Sequence, residues 1–210
     1  MSSASTETIS SSITSASKVI RTPDTWITKA PVIEISDAQL LAAIAELRTL
    51  FAAMIGDARA NLALTILDIM VRQAGRGYPT YLLKVEGQIT AVMQMDGGHS
   101  ESAFEVKNLV TTGNYPGSGA LMIEQAFELC KGRSKDHQIS LNSHNALSTA
   151  AYRAMGFVMD NGSLTDTSGD MTLDPAESKK WMLVKKHYKY RSLDAARSDA
   201  AAKSSCCIIC

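Results

Sequence analysis

The sequence predicts an α+β fold, a mixed α/β three-layer domain built on a mostly antiparallel sheet. Three observations lead there. Apolar residues first recur at helical spacing, then switch to strand-like alternation around a tight glycine turn, and helical and extended patterns finally take turns toward the end. The 210 residues are enough for one such domain with tails, and enough to bury a real core.

Ser36-Asp37-Ala38-Gln39 has the form of a capping box, and Leu40, Ile44, Leu47, Phe51 and Met54 follow at helical spacing, with Gly56 as the expected stop. A second helix is predicted from about Ala60, with Leu62, Ile66, Ile69 and Met70 on one face and an Asp68–Arg72 pair outside. The segment Gly75-Arg76-Gly77-Tyr78-Pro79 ends it. Thr80 to Glu86 reads as a strand, Glu86-Gly87-Gln88 as a turn, and Ile89 to Met95 as a strand alternating Ile89, Ala91, Met93 and Met95. A third strand covers Ser102 to Thr112. Its alternation slips, because Phe104 and Val106 share a face that Leu109 and Val110 cannot both continue, and this predicts a bulge near Lys107–Asn108. A helix from Ala120 to Cys130 closed by Gly132, a strand at Ile139 and Leu141, a helix from Asn145 to Met155 and a last strand from Lys180 to Lys186 complete the order ααβββαβαβ. A long polar loop is expected between Phe157 and Lys179.

Composition narrows the function. Lys plus Arg and Asp plus Glu both number 21, so no global field points to nucleic acid. No apolar run approaches the roughly 18 residues of a membrane-spanning helix, and the start lacks the basic-then-apolar pattern of a secretory signal. Three of the four cysteines (Cys206, Cys207, Cys210) crowd the end, and Cys130 reads as a small buried hydrophobe. That is no disulfide framework, and it predicts a reducing, cytoplasmic setting. Residues 1–30 are expected to form a disordered Ser/Thr-rich leader, 31–190 the domain, and 191–210 a flexible tail. The leader also fits the secretion leader of an injected bacterial effector. Glu7, and the lack of Arg before Arg21, weigh against an organelle transit peptide.

The chemistry gathers at Gly113-Asn114-Tyr115-Pro116-Gly117-Ser118-Gly119-Ala120, between a strand and a helix. A glycine-rich turn there aims backbone N–H groups outward at the positive end of a helix dipole, which favours an anion such as phosphate or pyrophosphate. No Walker lysine or Rossmann βαβ unit surrounds it. Downstream, Asn145-Ala146-Leu147-Ser148-Thr149-Ala150-Ala151-Tyr152-Arg153-Ala154-Met155-Gly156-Phe157 ends in Tyr-x-x-x-Gly-Phe.

These two motifs, with the element order, resemble the GNAT superfamily of acyl-CoA-dependent N-acetyltransferases. The resemblance covers Thr80 to Lys186 well and Ile35 to Gly77 loosely. The family's turn has the form Gln/Arg-x-x-Gly-x-Gly/Ala, and Gly117 and Gly119 match its glycines. Asn114 replaces the usual Gln or Arg, and Pro116 removes one N–H. Ser148 and Ala151 depart from the family's downstream pattern, Asn-x-x-Ala-x-x-Leu-Tyr-x-x-x-Gly-Phe. The resemblance implies a GNAT-like fold with a splayed central sheet, acetyl-CoA as the donor, and a primary amine, of a small molecule or a protein lysine, as acceptor. It implies that the amides of Tyr115, Gly117, Ser118, Gly119 and Ala120 hold the pyrophosphate, with a weaker side-chain contact from Asn114. Leu109 and Val110 would pair with the pantetheine arm along the opened strand, and Asn145 would contact pantetheine or cap its helix.

An amine near pKa 10 must lose a proton before attack, and the departing thiolate must gain one. Family logic gives the second task to Tyr152, a phenol protonated at neutral pH. Glu105 approximates the position of the general base, with Glu101 and His99 as alternatives. His137, His144 and His187 sit in no motif and fit surface or capping roles, and no Cys/His spacing makes a zinc site. The loop carrying Asp160, Asp166, Asp170, Asp174 and Glu177 would suit a cationic acceptor, or would simply be a solvated loop. Cys207-Ile208-Ile209-Cys210 resembles a prenylation box beside Cys206, which would allow membrane association through lipid only. A GNAT-like module that binds acyl-CoA or a protein without turnover is the competing reading.

Overall fold

The computed structural model describes residues 30–54, 56–96, 104–131 and 137–195. The expected leader, the alternatives His99 and Glu101, the helix stop Gly132 and the cysteines Cys206, Cys207 and Cys210 lie outside the described residues. The order is β1 (Val32–Ile35), α1 (Asp37–Ala52), α2 (Ala58–Gln73), β2 (Thr80–Val85), β3 (Gln88–Asp96), β4 (Phe104–Thr111), α3 (Ser118–Cys130), β5 (Ile139–Ser143), α4 (Ala146–Met155), β6 (Val158–Met159), β7 (Gly169–Leu173), β8 (Trp181–Val184) and β9 (His187–Tyr190).

Seven strands make one sheet in the order β1-β2-β3-β4-β5-β7-β6, and β8 and β9 form a separate hairpin. Every neighbour in the large sheet is antiparallel except β4 and β5. Layers cover both faces. On one, α1 and α2 bury Leu40, Ile44, Leu47, Phe51, Leu67 and Met70 against Leu82, Val92 and Val110. On the other, α3 buries Met122, Ile123 and Phe127 against Leu83, Met93, Val106 and Leu141, with Trp181 and Tyr190 of the hairpin. The fold is the mixed α+β three-layer arrangement expected. Because both faces are covered, Ile89 to Met95 is buried at every position rather than alternating.

The capping box at Ser36 forms, with Gln39 Oε1 accepting from Ser36 N at 2.9 Å. Helix α1 stops at Ala52, before Gly56, and α2 begins at Ala58 with Asp57 as its cap. Asp68 is engaged by Arg48 of α1, not by Arg72, because a contact between helices brings the two groups together. Cys130 is fully buried.

Three parts of the element order need correction. Strand β1 has no counterpart in the expected order: at four residues on the sheet edge, with Glu34 exposed, its pattern is too short to signal a strand. The expected polar loop from Phe157 to Lys179 contains β6 and β7, and β7 is the strand that pairs with β5 from Ile139–Leu173 to Ser143–Gly169. Its Gly-Asp-Met-Thr-Leu sequence buries only Met171 and Leu173, so turn-rich composition masked it. The expected last strand is instead a hairpin outside the sheet, turned at Lys185 and Lys186, both with positive φ. Packing also continues past Tyr190: residues 191–195 are helical and Leu193 is fully buried. Among the described residues no helix is long and apolar enough to cross a membrane.

Candidate functional site

The site begins with a change of side on β4. Gln94 pairs with Asn108 but Met95 pairs with Val106, so Lys107 is an extra residue bulged out of the ladder. Phe104 and Val106 therefore enter the α3 core while Val110 enters the α1/α2 core. This is the bulge that the slipped alternation predicts. A trio of amides with no sequence signal pins it from below. Asn108 Nδ2 donates to Gln73 Oε1 of α2 at 2.7 Å and to Gln94 Oε1 of β3 at 2.9 Å, with Asn108 and Gln94 buried. A second bulge, at Thr90 opposite Leu83/Lys84, puts Ile89 in the α1/α2 core while Ala91, Met93 and Met95 face α3. The predicted alternation from Ile89 is broken there.

Strands β4 and β5 pair only from Phe104–Ile139 to Val106–Leu141, although both continue. Beyond Val106 they part, and the sheet is splayed. Thr112 N donates to Thr90 O at 3.0 Å, toward β3. Alternation then turns the backbone of Val110 to β3 and that of Leu109 and Thr111 to the opened edge. Of the two residues expected along that edge, Leu109 has the matching orientation.

At the end of β4 the chain enters the glycine turn. Gly113 and Gly117 have φ of 74° and 96°, the left-handed region that glycine enters without strain. Gly117 is the N-cap of α3 and no side chain caps it. Ser118 N and Oγ are both directed at Tyr115 O (3.3 and 2.9 Å), so the Ser118 amide is already used. Leu121 N takes Gly117 O. Gly119 and Ala120 keep first-turn N–H groups with no acceptor among the described residues, which suits an anion. Asn114 is exposed, and Tyr115 Oη donates to Gln88 Oε1 at 3.1 Å. Beside the turn a cavity of about 470 Å³ opens toward α1, lined by Glu46, Leu50, Gln88, Thr112, Asn114 and Tyr115.

Helix α4 completes the arrangement. Asn145 is its N-cap: its side chain accepts from Ser148 N at 3.0 Å and Ser148 Oγ accepts from Asn145 N, so the Asn145 side-chain oxygen is committed to the cap. Thr149 and Arg153 anchor the β6–β7 connection, through Thr167 O (2.9 Å) and Ser163 O and Asp166 O (3.1 and 3.0 Å). Gly156 caps the C-terminus at φ 100°, where an added Cβ would lie 2.3 Å from Ser178 Oγ. A Cβ on Gly119 would meet Thr111 Cγ2 at 3.7 Å and Met155 Sδ at 4.0 Å, so the turn, the splayed strand and α4 converge at that point. Tyr152 lies one turn before Met155 on the same side of α4, and both border the α3 core together with Leu109 and Tyr115. Its ring meets Phe157 edge-on at 5.5 Å, and burial pushes its phenol up to about 12. Among the described residues nothing hydrogen-bonds its hydroxyl.

Glu105 is held in an ion pair. Its Oε2 accepts from Lys107 Nζ at 2.5 Å, and Asp96 Oδ2 lies 3.6 Å from the same ammonium. The hydrogen bond it donates to Glu105 holds Lys107 above its ordinary range, against the desolvation of burial. The acidic loop is likewise spent locally. Asp160 accepts from Thr172, Asp166 from Asn161, Asp170 from Asn142 and Asp174 from Ala176 N. The bonds of Asp160 and Asp170 reach the strands β7 and β5, and those of Asp166 and Asp174 close turns. His144 and His137 are peripheral, the latter against Tyr188. His187 bonds Glu128. Among the described residues no group of three or more His, Cys, Asp or Glu could hold a metal ion.

No family model matches the chain, and no curated protein matches it. Solved structures do, many of them GNAT-family acetyltransferases. A PaiA N-acetyltransferase from Thermoplasma acidophilum in complex with coenzyme A is 13% identical, with 70% of this chain and 99% of that one covered and a TM-score of 0.46. A GNAT-family acetyltransferase from Bacillus cereus is 12% identical over 70% and 97%, at 0.44. AtaTR bound with AcCoA is 15% identical over 70% and 94%, at 0.46. Similarities of this size assign no residue a role.

Proposed function

We propose that the chain is a GNAT-type N-acetyltransferase that moves an acetyl group from acetyl-CoA to a primary amine, of a small molecule or a protein lysine. One observation carries it: β4 leaves β5 at a bulge and runs directly into an uncapped helix N-terminus, with Tyr152 of α4 on the same side. The residues present suit the donor. Gly117, Gly119 and Ala120 supply amides for a pyrophosphate, assisted by Asn114 and the amide of Tyr115. Ser118 holds the turn through Tyr115 O. The backbone of Leu109 offers a pairing edge for the amide-bearing arm, with the Val110 side chain anchoring the strand from behind.

Bound acetyl-CoA supplies an acyl thioester. Tyr152 donates the proton that the departing sulfur needs, and its raised pKa keeps that proton available throughout the neutral range. Asn145 positions Tyr152 by capping α4. Glu105 would receive the amine's proton once released from Lys107. Its present commitment to Lys107 favours a second reading, a module that holds acyl-CoA without turnover.

Thiol release on an amine panel separates the two. Wild type should turn over and Tyr152→Phe should lose about 100-fold or more in kcat, the usual range for a general acid. Coenzyme A binding without release on any amine favours the module, and turnover unchanged by Tyr152→Phe removes the acid assignment.

A further inference from the structure

We infer that Lys107 is itself an acetyl acceptor, modified in cis by the donor held along β4. The inference rests on the donor reading above. The β4–β5 ladder ends at Val106–Leu141, so Lys107 is the first residue of β4 beyond it. From Lys107 to Thr112 the strand covers about 16 Å at its usual rise, so an arm extending from the glycine turn along the opened edge brings its acyl end toward Lys107. Lys107 is also the bulged residue, outside the alternation that sends Val106 to α3, and the Asn108 trio fixes it in that place. Its side chain is 26% exposed, and its ammonium already touches a carboxylate able to take a proton, Glu105 Oε2 at 2.5 Å. An amine and its base thus stand together where the acyl group is expected.

The step balances without another reactant. Lys107 Nζ gives a proton to Glu105 and attacks the thioester carbonyl carbon. The N–C bond forms, the C–S bond breaks, and coenzyme A departs as a thiolate that Tyr152 protonates. The second proton of the nitrogen passes to the Tyr152 phenolate and restores the phenol, and Glu105 releases its proton to solvent. Acetylation removes the cation that holds Glu105 in the resting ion pair and leaves that carboxylate able to receive the proton of an amine acceptor.

The test incubates the full chain with acetyl-CoA and reads intact mass and mapped peptides, alongside the melting temperature with coenzyme A. The expected result is one acetyl group per chain, on Lys107, lost in Lys107→Arg, formed at a rate independent of protein concentration and slowed in Tyr152→Phe. Coenzyme A raising the melting temperature while Lys107 stays unmodified overturns this inference and leaves the donor reading standing. Acetyl spread evenly over Lys84, Lys131 and Lys189, or a rate proportional to protein concentration, also overturns it. No melting shift with coenzyme A and no acetylation sinks both.

Discussion

Tyr152 shows how one residue carries both chemistry and stability. Its phenol is pushed up to about 12 by desolvation, against an ordinary value near 10. A group whose folded-state pKa is raised contributes stability that is complete below the unfolded pKa and lost as pH climbs through the folded one. Denaturant melts from pH 9 to 12 should show stability falling between about 10 and 12, and Tyr152→Phe should flatten that fall. Over the same range below 10, the rate should carry no descending limb from this residue. Asn108 is the counterpart without a titrating group. Asn108→Ala strands the acceptors of Gln73 and Gln94 and should cost about 1–3 kcal/mol, read by urea melts, and should weaken coenzyme A binding through the loosened bulge.

Two elements hold the α4 side of the site. Gly156 needs glycine twice over, for its φ of 100° and for the approach of Ser178. Gly156→Ala should destabilise by about 2 kcal/mol or more and lower the melting temperature, since strain and overpacking act together. The β8–β9 hairpin is tied to α3 by a buried carboxylate. Glu124, 4% exposed, accepts from Tyr190 N at 3.0 Å and from Lys189 Nζ at 3.1 Å, while Trp181 Nε1 donates to Met155 O at 2.7 Å. Glu124→Ala should cost about 3 kcal/mol and accelerate hydrogen exchange in β8 and β9 before the main sheet. A second tie, at Glu128, is partly buried. Desolvation works against its charge, but Lys131 and His187 hold its carboxyl below the ordinary range. A depressed carboxylate loses its contribution as pH falls, so Glu128→Gln should reduce the acid sensitivity of the hairpin's docking.

At the scale of the molecule, helices cover both faces of the sheet and an opening lies where β4 and β5 separate beyond Val106. Coenzyme A bound there should stabilise the native state by about 2.7 kcal/mol at a hundredfold excess over Kd, visible as a concentration-dependent melting temperature. Asn114 in place of Gln or Arg, Pro116 without an N–H and the Ser118 amide turned inward leave fewer donors for that ligand. Binding should therefore tighten in Asn114→Arg, as measured by calorimetry.

What the sequence alone determined is local. The Ser36 box, the Glu86-Gly87 turn, the glycines with left-handed φ and the Lys107 bulge all follow from residue type at adjacent positions, where steric and hydrogen-bonding preferences act within a few residues. What only the tertiary structure decided is partnership. Gly169 to Leu173 became an interior strand beside β5, which had an open edge to satisfy, although its own composition favours turns. Asp68 found Arg48 and Glu124 found Lys189, because the nearest opposite charge is set by how elements pack. The glycine turn could be read as an anion site from its residues, but only the splay of β4 from β5 shows the edge that leads to it. That splay is a relation between strands far apart in sequence, and no short-range preference encodes it.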